Sequence, residues 1–89
     1  MALFLYGYFS KLYQDIAMDK FIINKNPQAN GDHEIHNVTK GCSYLPLVQN
    51  QVDVGYFANC QQAITKAKSS WPNNKINGCY WCSTTCHTS

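Results

Sequence analysis

The chain closes on "GCYWCSTTCHTS", where Cys79, Cys82, Cys86 and His87 fall within nine positions. Cys79 and Cys82 form a C-x-x-C, and two thiolates at this spacing can point at one ion from a tight turn, about 2.3 Å from zinc. A tetrahedral site needs a second pair of ligands. The other dense patch is "DHEIHNVTKGC", which offers His33, His36 and Cys42. The set His36, Cys42, Cys79 and Cys82 makes a Cys3His zinc site that clamps an early loop to a late turn. Cys86, His87 and His33 stand as substitutes for one of the four. A closed set of this kind suits a structural ion, because structural zinc has no open coordination position.

Other chemistry is less well supplied. A C-x-x-C can also be a disulfide pair or a redox pair. The redox reading wants the motif at the start of a helix, and here it lies near the chain end. "HEIH" spaces its histidines i and i+3, whereas the helical zinc-protease motif needs i and i+4. It also lacks the ββα-metal unit that a His-Asn-His nuclease requires. His33 therefore reads as a residue supporting the site or the surface, and His33→Ala is expected to be mild. Asp32 or Glu34 can orient a ligating imidazole. No oxyanion loop or third orienting residue accompanies Cys86-His87, so nucleophilic catalysis has little behind it. That dipeptide reads as a tail, a substitute ligand pair or a reactive thiol beside an imidazole.

The elements that must position these residues follow from pattern. "KFIINK" (20–25) is a β-branched run that predicts a strand. Residues 26–43 read as a loop or a hairpin around "NGD". "YLPLV" reads as a short edge strand limited by Pro46, and "NQVDVGYF" as a connection. Residues 59–71 predict a helix. Asn59 can cap it, with Gln62 three residues on, and Cys60, Ala63, Ile64, Ala67 and Trp71 share one apolar face. Pro72 stops it. Cys60 on that face reads as a buried free thiol, with a disulfide to Cys86 as the alternative. "KINGCYWC" is a strand or turn. Tyr44, Tyr56, Phe57, Trp71, Tyr80 and Trp81 read mainly as core. Residues 1–19 carry apolar side chains at helical spacing and read as an amphipathic extension, with Met18 as a second candidate start. Residues 20–89 read as a single zinc-binding domain.

The order of these features resembles the Ada-like metal-binding domains, related to the zinc-bearing amino-terminal domain of Ada-type alkylation-repair proteins. It runs from a strand with "NKN" through a His, a Cys, an aromatic before "QQAITKAK", then Gly and C-x-x-C, over about residues 21–82. The resemblance implies that His36, Cys42, Cys79 and Cys82 hold zinc, and it implies nucleic acid as a partner. Two departures stand out. The repair domain uses an all-cysteine site with a methyl-accepting thiolate, and His36 replaces one of those cysteines. Gly78 stands where relatives commonly carry Pro.

Bulk properties set the bounds. Eighty-nine residues make one domain with a small core, so a metal or a disulfide contributes a large share of its stability. The formal net charge is +2, from seven basic residues, all lysine. Without arginine, bidentate reading of guanine or phosphate is weak. Five cysteines are too few for a disulfide scaffold. The apolar start lacks a basic flank and is too short to span a bilayer. These features favour a reducing, cytoplasmic setting in which clustered cysteines bind metal.

The expectation is therefore an α+β domain with two or three short strands, one central helix and a structural Zn2+ clamp. It would bind a macromolecule, either nucleic acid or another protein, and no membrane or small-molecule substrate. Two alternatives stand beside it. One is an exported small protein stapled by two disulfides. The other is a thiol- or metal-dependent enzyme.

Overall fold

The computed structural model describes residues 18–88. The expected helix in residues 1–19 lies almost wholly outside the described residues.

Strand β1 spans Asp19–Asn24, β2 spans Asp32–Asn37, β3 spans Gln51–Phe57, helix α1 spans Cys60–Ser70, and β4 spans Lys75–Gly78. The class is α+β, with one α-helix among the described residues on a four-stranded sheet of order β3-β1-β2-β4. β1 pairs antiparallel with both β2 and β3, while β2 and β4 run parallel. A parallel pair needs a long crossover, and here the loop after β2, β3 and α1 supply it.

β1 is the strand the β-branched run predicts. Phe21, Ile22 and Ile23 are all buried, as fits a central strand covered on both faces. The turn into β2 uses Gly31 at φ 92°, a region that glycine enters without a Cβ penalty. Of the two readings of 26–43, the hairpin around "NGD" holds, with β2 as its second, antiparallel strand. Its sequence "DHEIHN" is polar, and its strand character comes from being held between β1 and β4 rather than from propensity. β3 likewise forms where a connection was expected. Its register against β1 shifts between Phe21 and Ile22, opposite Gly55 at φ 129°, as a β-bulge does. The expected strand at "YLPLV" is instead a loop leading into a 3-10 turn at Val48–Asn50.

Helix α1 begins where its cap predicts. The Asn59 side chain accepts from the Gln62 N–H at 3.0 Å. Gln62 reaches back to accept from the Ala58 N–H at 3.0 Å, one residue earlier than in a capping box. Cys60, Ala63, Ile64 and Ala67 are buried against Phe21, Ile23 and Ile35. Val52, Val54, Phe57, Trp71 and Ile76 close the rim of this core. The aromatic expectation needs correcting. Phe57 and Trp71 do pack on the core, but Tyr44, Tyr56, Tyr80 and Trp81 are each more than half exposed.

Candidate metal centre

The fold brings four sequence-distant ligands to one point. His36 lies on β2 rather than on a loop. Side chains alternate along a strand, so His36 faces away from Ile35, which packs beneath α1. Cys42 follows Gly41, whose φ of 83° turns the chain back toward the sheet. Cys79 immediately follows β4, and its N–H donates to the Ile35 carbonyl at 2.9 Å. That bond continues the β2–β4 pairing by one step and sets Cys79 beside His36. The turn then closes through the Ser83 N–H on the Cys79 carbonyl at 2.9 Å, which brings Cys82 over the end of β2.

The ligand atoms of His36, Cys42, Cys79 and Cys82 all lie within 4.8 Å of one another. Cys42 Sγ and Cys79 Sγ are 3.8 Å apart, and Cys82 Sγ is 3.5 Å from His36 Nδ1. A tetrahedron with zinc–sulfur bonds of about 2.3 Å and zinc–nitrogen bonds of about 2.0–2.1 Å has edges of about 3.8 and 3.5 Å. These two separations match the edges of such a tetrahedron, and the four atoms together could hold a metal ion. His36, Cys79 and Cys82 are buried and Cys42 is partly so.

The surroundings are built for charge. The Asn37 N–H donates to Cys82 Sγ at 3.3 Å, and the Tyr44 N–H donates to Cys42 Sγ at 3.4 Å. His36 presents Nδ1 to the thiols. Its Nε2 is buried with no hydrogen-bond partner among the described residues, and Glu34 Oε1 stands 3.8 Å away. With the proton on Nε2, facing Glu34, the Nδ1 lone pair is free for a metal. Of the two acidic candidates, Glu34 is the one beside His36, at a distance beyond a direct hydrogen bond. Asp32 instead accepts from Asn30 and Asn77.

Without a cation, this pocket disfavours ionised groups. Burial pushes the Cys82 thiol up to about 12, against a partial offset from the Asn37 N–H. Burial also raises Cys79 and lowers His36. Glu34 is raised by burial, with His87 pulling it back. Three thiolates crowded out of water need a positive charge among them, which a divalent ion supplies.

The substitute ligands are engaged elsewhere. Cys86 forms a disulfide with Cys60, so of the two readings of Cys60 the pairing with Cys86 holds and the buried free thiol does not. The Cys86-His87 segment is no loose tail. Cys86 closes a 3-10 turn at Thr84–Cys86, and His87 Nδ1 lies 2.9 Å from the Gly78 carbonyl. His33 lies on the other face of β2 from His36. Its Nδ1–H donates to the Asn24 carbonyl at 3.0 Å, Asn74 Nδ2 donates to its Nε2 at 3.3 Å, and Trp71 meets the ring edge-on at 5.1 Å.

A feature that sequence reasoning underrated is an aromatic surface around the clamp. Tyr44 stacks on Trp81 with centroids 5.4 Å apart and planes 20° apart. Tyr80 meets Trp81 edge-on at 4.9 Å. The available signal was position. Tyr80 and Trp81 fill the C-x-x-C, and Tyr44 stands two residues after Cys42, on turns whose cysteines face inward and whose remaining side chains face outward. Comparison with protein families, with characterised proteins and with solved structures found no match to this chain.

Proposed function

We propose that this chain is a structural zinc module that folds around its ion and presents an aromatic surface to nucleic acid. The observation that supports the zinc reading is the grouping of His36, Cys42, Cys79 and Cys82 within 4.8 Å of one another, with two separations of 3.8 and 3.5 Å. Its four protein ligands leave no position for a reacting water. The role is therefore to turn metal-binding free energy into folding free energy. The same four positions are those that the Ada-like resemblance names, and the proposal keeps that kinship.

The binding half rests on the Tyr44–Trp81 stack. Exposed rings offer faces to unpaired bases, worth about 1–3 kcal/mol per base. Beside Trp81 runs a groove of about 250 Å³ whose lining includes Lys40, Asn59, Thr84 and Thr85, groups that can hydrogen-bond a sugar-phosphate chain. With no arginine, recognition is by stacking and shape rather than by base edges.

The test is titration of the zinc-loaded protein with a single-stranded oligonucleotide, read by tryptophan fluorescence. Quenching that is lost in Tyr44→Ala, which keeps both tryptophans, with zinc retained, supports the reading. No binding at low salt refutes the nucleic-acid half and turns attention to a protein partner.

A further inference from the structure

We infer that the Cys60–Cys86 disulfide is a redox control on the metal clamp. The inference rests on the zinc reading above. The disulfide ties the first residue of α1 to the turn that completes the clamp. The two crosslinks interleave along the chain. Cys60 lies inside the loop that the clamp closes between Cys42 and Cys79. Cys79 and Cys82 lie inside the loop that the disulfide closes.

The contacts between the two crosslinks are direct. The Cys86 N–H donates to the Ser83 carbonyl at 3.0 Å, and the Ser83 N–H donates to the Cys79 carbonyl at 2.9 Å. Cys86 packs on Gly78, where an added Cβ would come within 2.8 Å of the Cys86 Cβ and 2.7 Å of the Ser83 carbonyl oxygen. Cys79 is the next residue. The disulfide thus holds down the turn that buries Cys79 and Cys82. Opening it leaves that turn held by hydrogen bonds alone, from its backbone, from Thr84 Oγ1 to the Tyr80 carbonyl, and from His87 and Thr88 to Gly78 and Asn77. A clamp that is assembled only part of the time binds its ion more weakly, in proportion to the assembled fraction.

The pair is also placed for exchange. Cys60 is 7% exposed, whereas Cys86 is only partly buried, so an incoming thiolate meets the Cys86 sulfur first. Attack there forms a mixed disulfide and releases Cys60 as a thiolate at the amino terminus of α1, where the helix dipole favours negative charge. A second thiolate of a dithiol reductant then displaces Cys86. The reductant gives up two electrons and becomes a disulfide, while Cys60 and Cys86 each take up a proton. Oxidation is the reverse, with a small-molecule or protein disulfide as the two-electron acceptor. In a reducing compartment the open, weaker-holding form is the resting state.

The test measures zinc affinity by competition with a chromophoric chelator. The oxidised full chain is compared with the full chain reduced by a phosphine, and with Cys60→Ala/Cys86→Ala. The phosphine becomes its oxide, with water supplying the oxygen and both protons. Thiol counts are read by alkylation and mass. A zinc dissociation constant weaker by about tenfold or more in both disulfide-free forms supports the inference. Affinities within about twofold of the oxidised chain overturn it. If the double variant fails to fold, the reduced wild type alone decides. If the oxidised chain itself takes up no zinc, the zinc reading fails first and the inference falls with it.

Discussion

Replacing His33 by alanine separates packing from metal binding. Both histidines of "HEIH" sit on β2, but they face opposite sides of the sheet. His33→Ala deletes a ring that is 7% exposed, together with its bonds to the Asn24 carbonyl and Asn74. Two such bonds are worth about 1 kcal/mol each. The edge-on contact with Trp71 adds about 0.5–1.5 kcal/mol. The expected loss is thus about 2.5–3.5 kcal/mol, a substantial part of the roughly 4–13 kcal/mol typical of a chain this size. The substitution is therefore not the mild one that its loop-like sequence suggests. Thermal unfolding at fixed free zinc is the assay, because bound ligand shifts the midpoint by mass action. The midpoint should fall by about 10–25 °C, while native mass still shows one zinc. A loss below about 0.5 kcal/mol would refute the packing argument. Loss of zinc with the fold intact would refute the ligand assignment.

Cys79→Ser and Cys82→Ser should leave the domain unfolded, since a structural zinc site contributes about 10–16 kcal/mol to folding. Circular dichroism with and without chelator checks this, and a folded, metal-free variant would count against it. Gly78→Ala should cost about 1–3 kcal/mol, because the new methyl meets backbone atoms of Ser83 and Cys86 at 2.7 and 2.9 Å. An unchanged midpoint in denaturant would show that the turn is not packed as described. The zinc-loaded protein should lose metal, and with it stability, as pH falls and protons compete for the thiolates. Burial, which pushes the metal-free Cys82 thiol up to about 12, sharpens that competition. Unfolding curves of the zinc-loaded protein across pH check this, and a midpoint that does not move while metal is lost in acid would count against it.

The strongest local signals were the ones that carried through. Asn59 and the spacing of Cys60, Ala63, Ile64 and Ala67 marked α1 because capping and a 3.6-residue period are properties of neighbours in sequence. The ligand quartet was legible for a related reason. Cysteine and histidine are few here, and a C-x-x-C needs partners. β2 and β3 were less legible. "DHEIHN" has no alternating apolar pattern, and its strand is imposed by β1 on one side and β4 on the other. The disulfide depends on how α1 docks against the turn after β4, a contact between residues 26 positions apart. The exposed rings of Tyr44, Tyr80 and Trp81 misled as core because ring chemistry does not record which way a turn faces.

The most direct test of the zinc clamp is a native mass spectrum of protein purified without added metal, paired with a denatured intact mass. The account predicts one zinc ion, and in oxidised protein a denatured mass two hydrogens below the fully reduced chain, with Cys42, Cys79 and Cys82 still thiols. A metal-free native mass would contradict the clamp, and a denatured mass four hydrogens light would mean that a second disulfide takes up thiols the clamp needs.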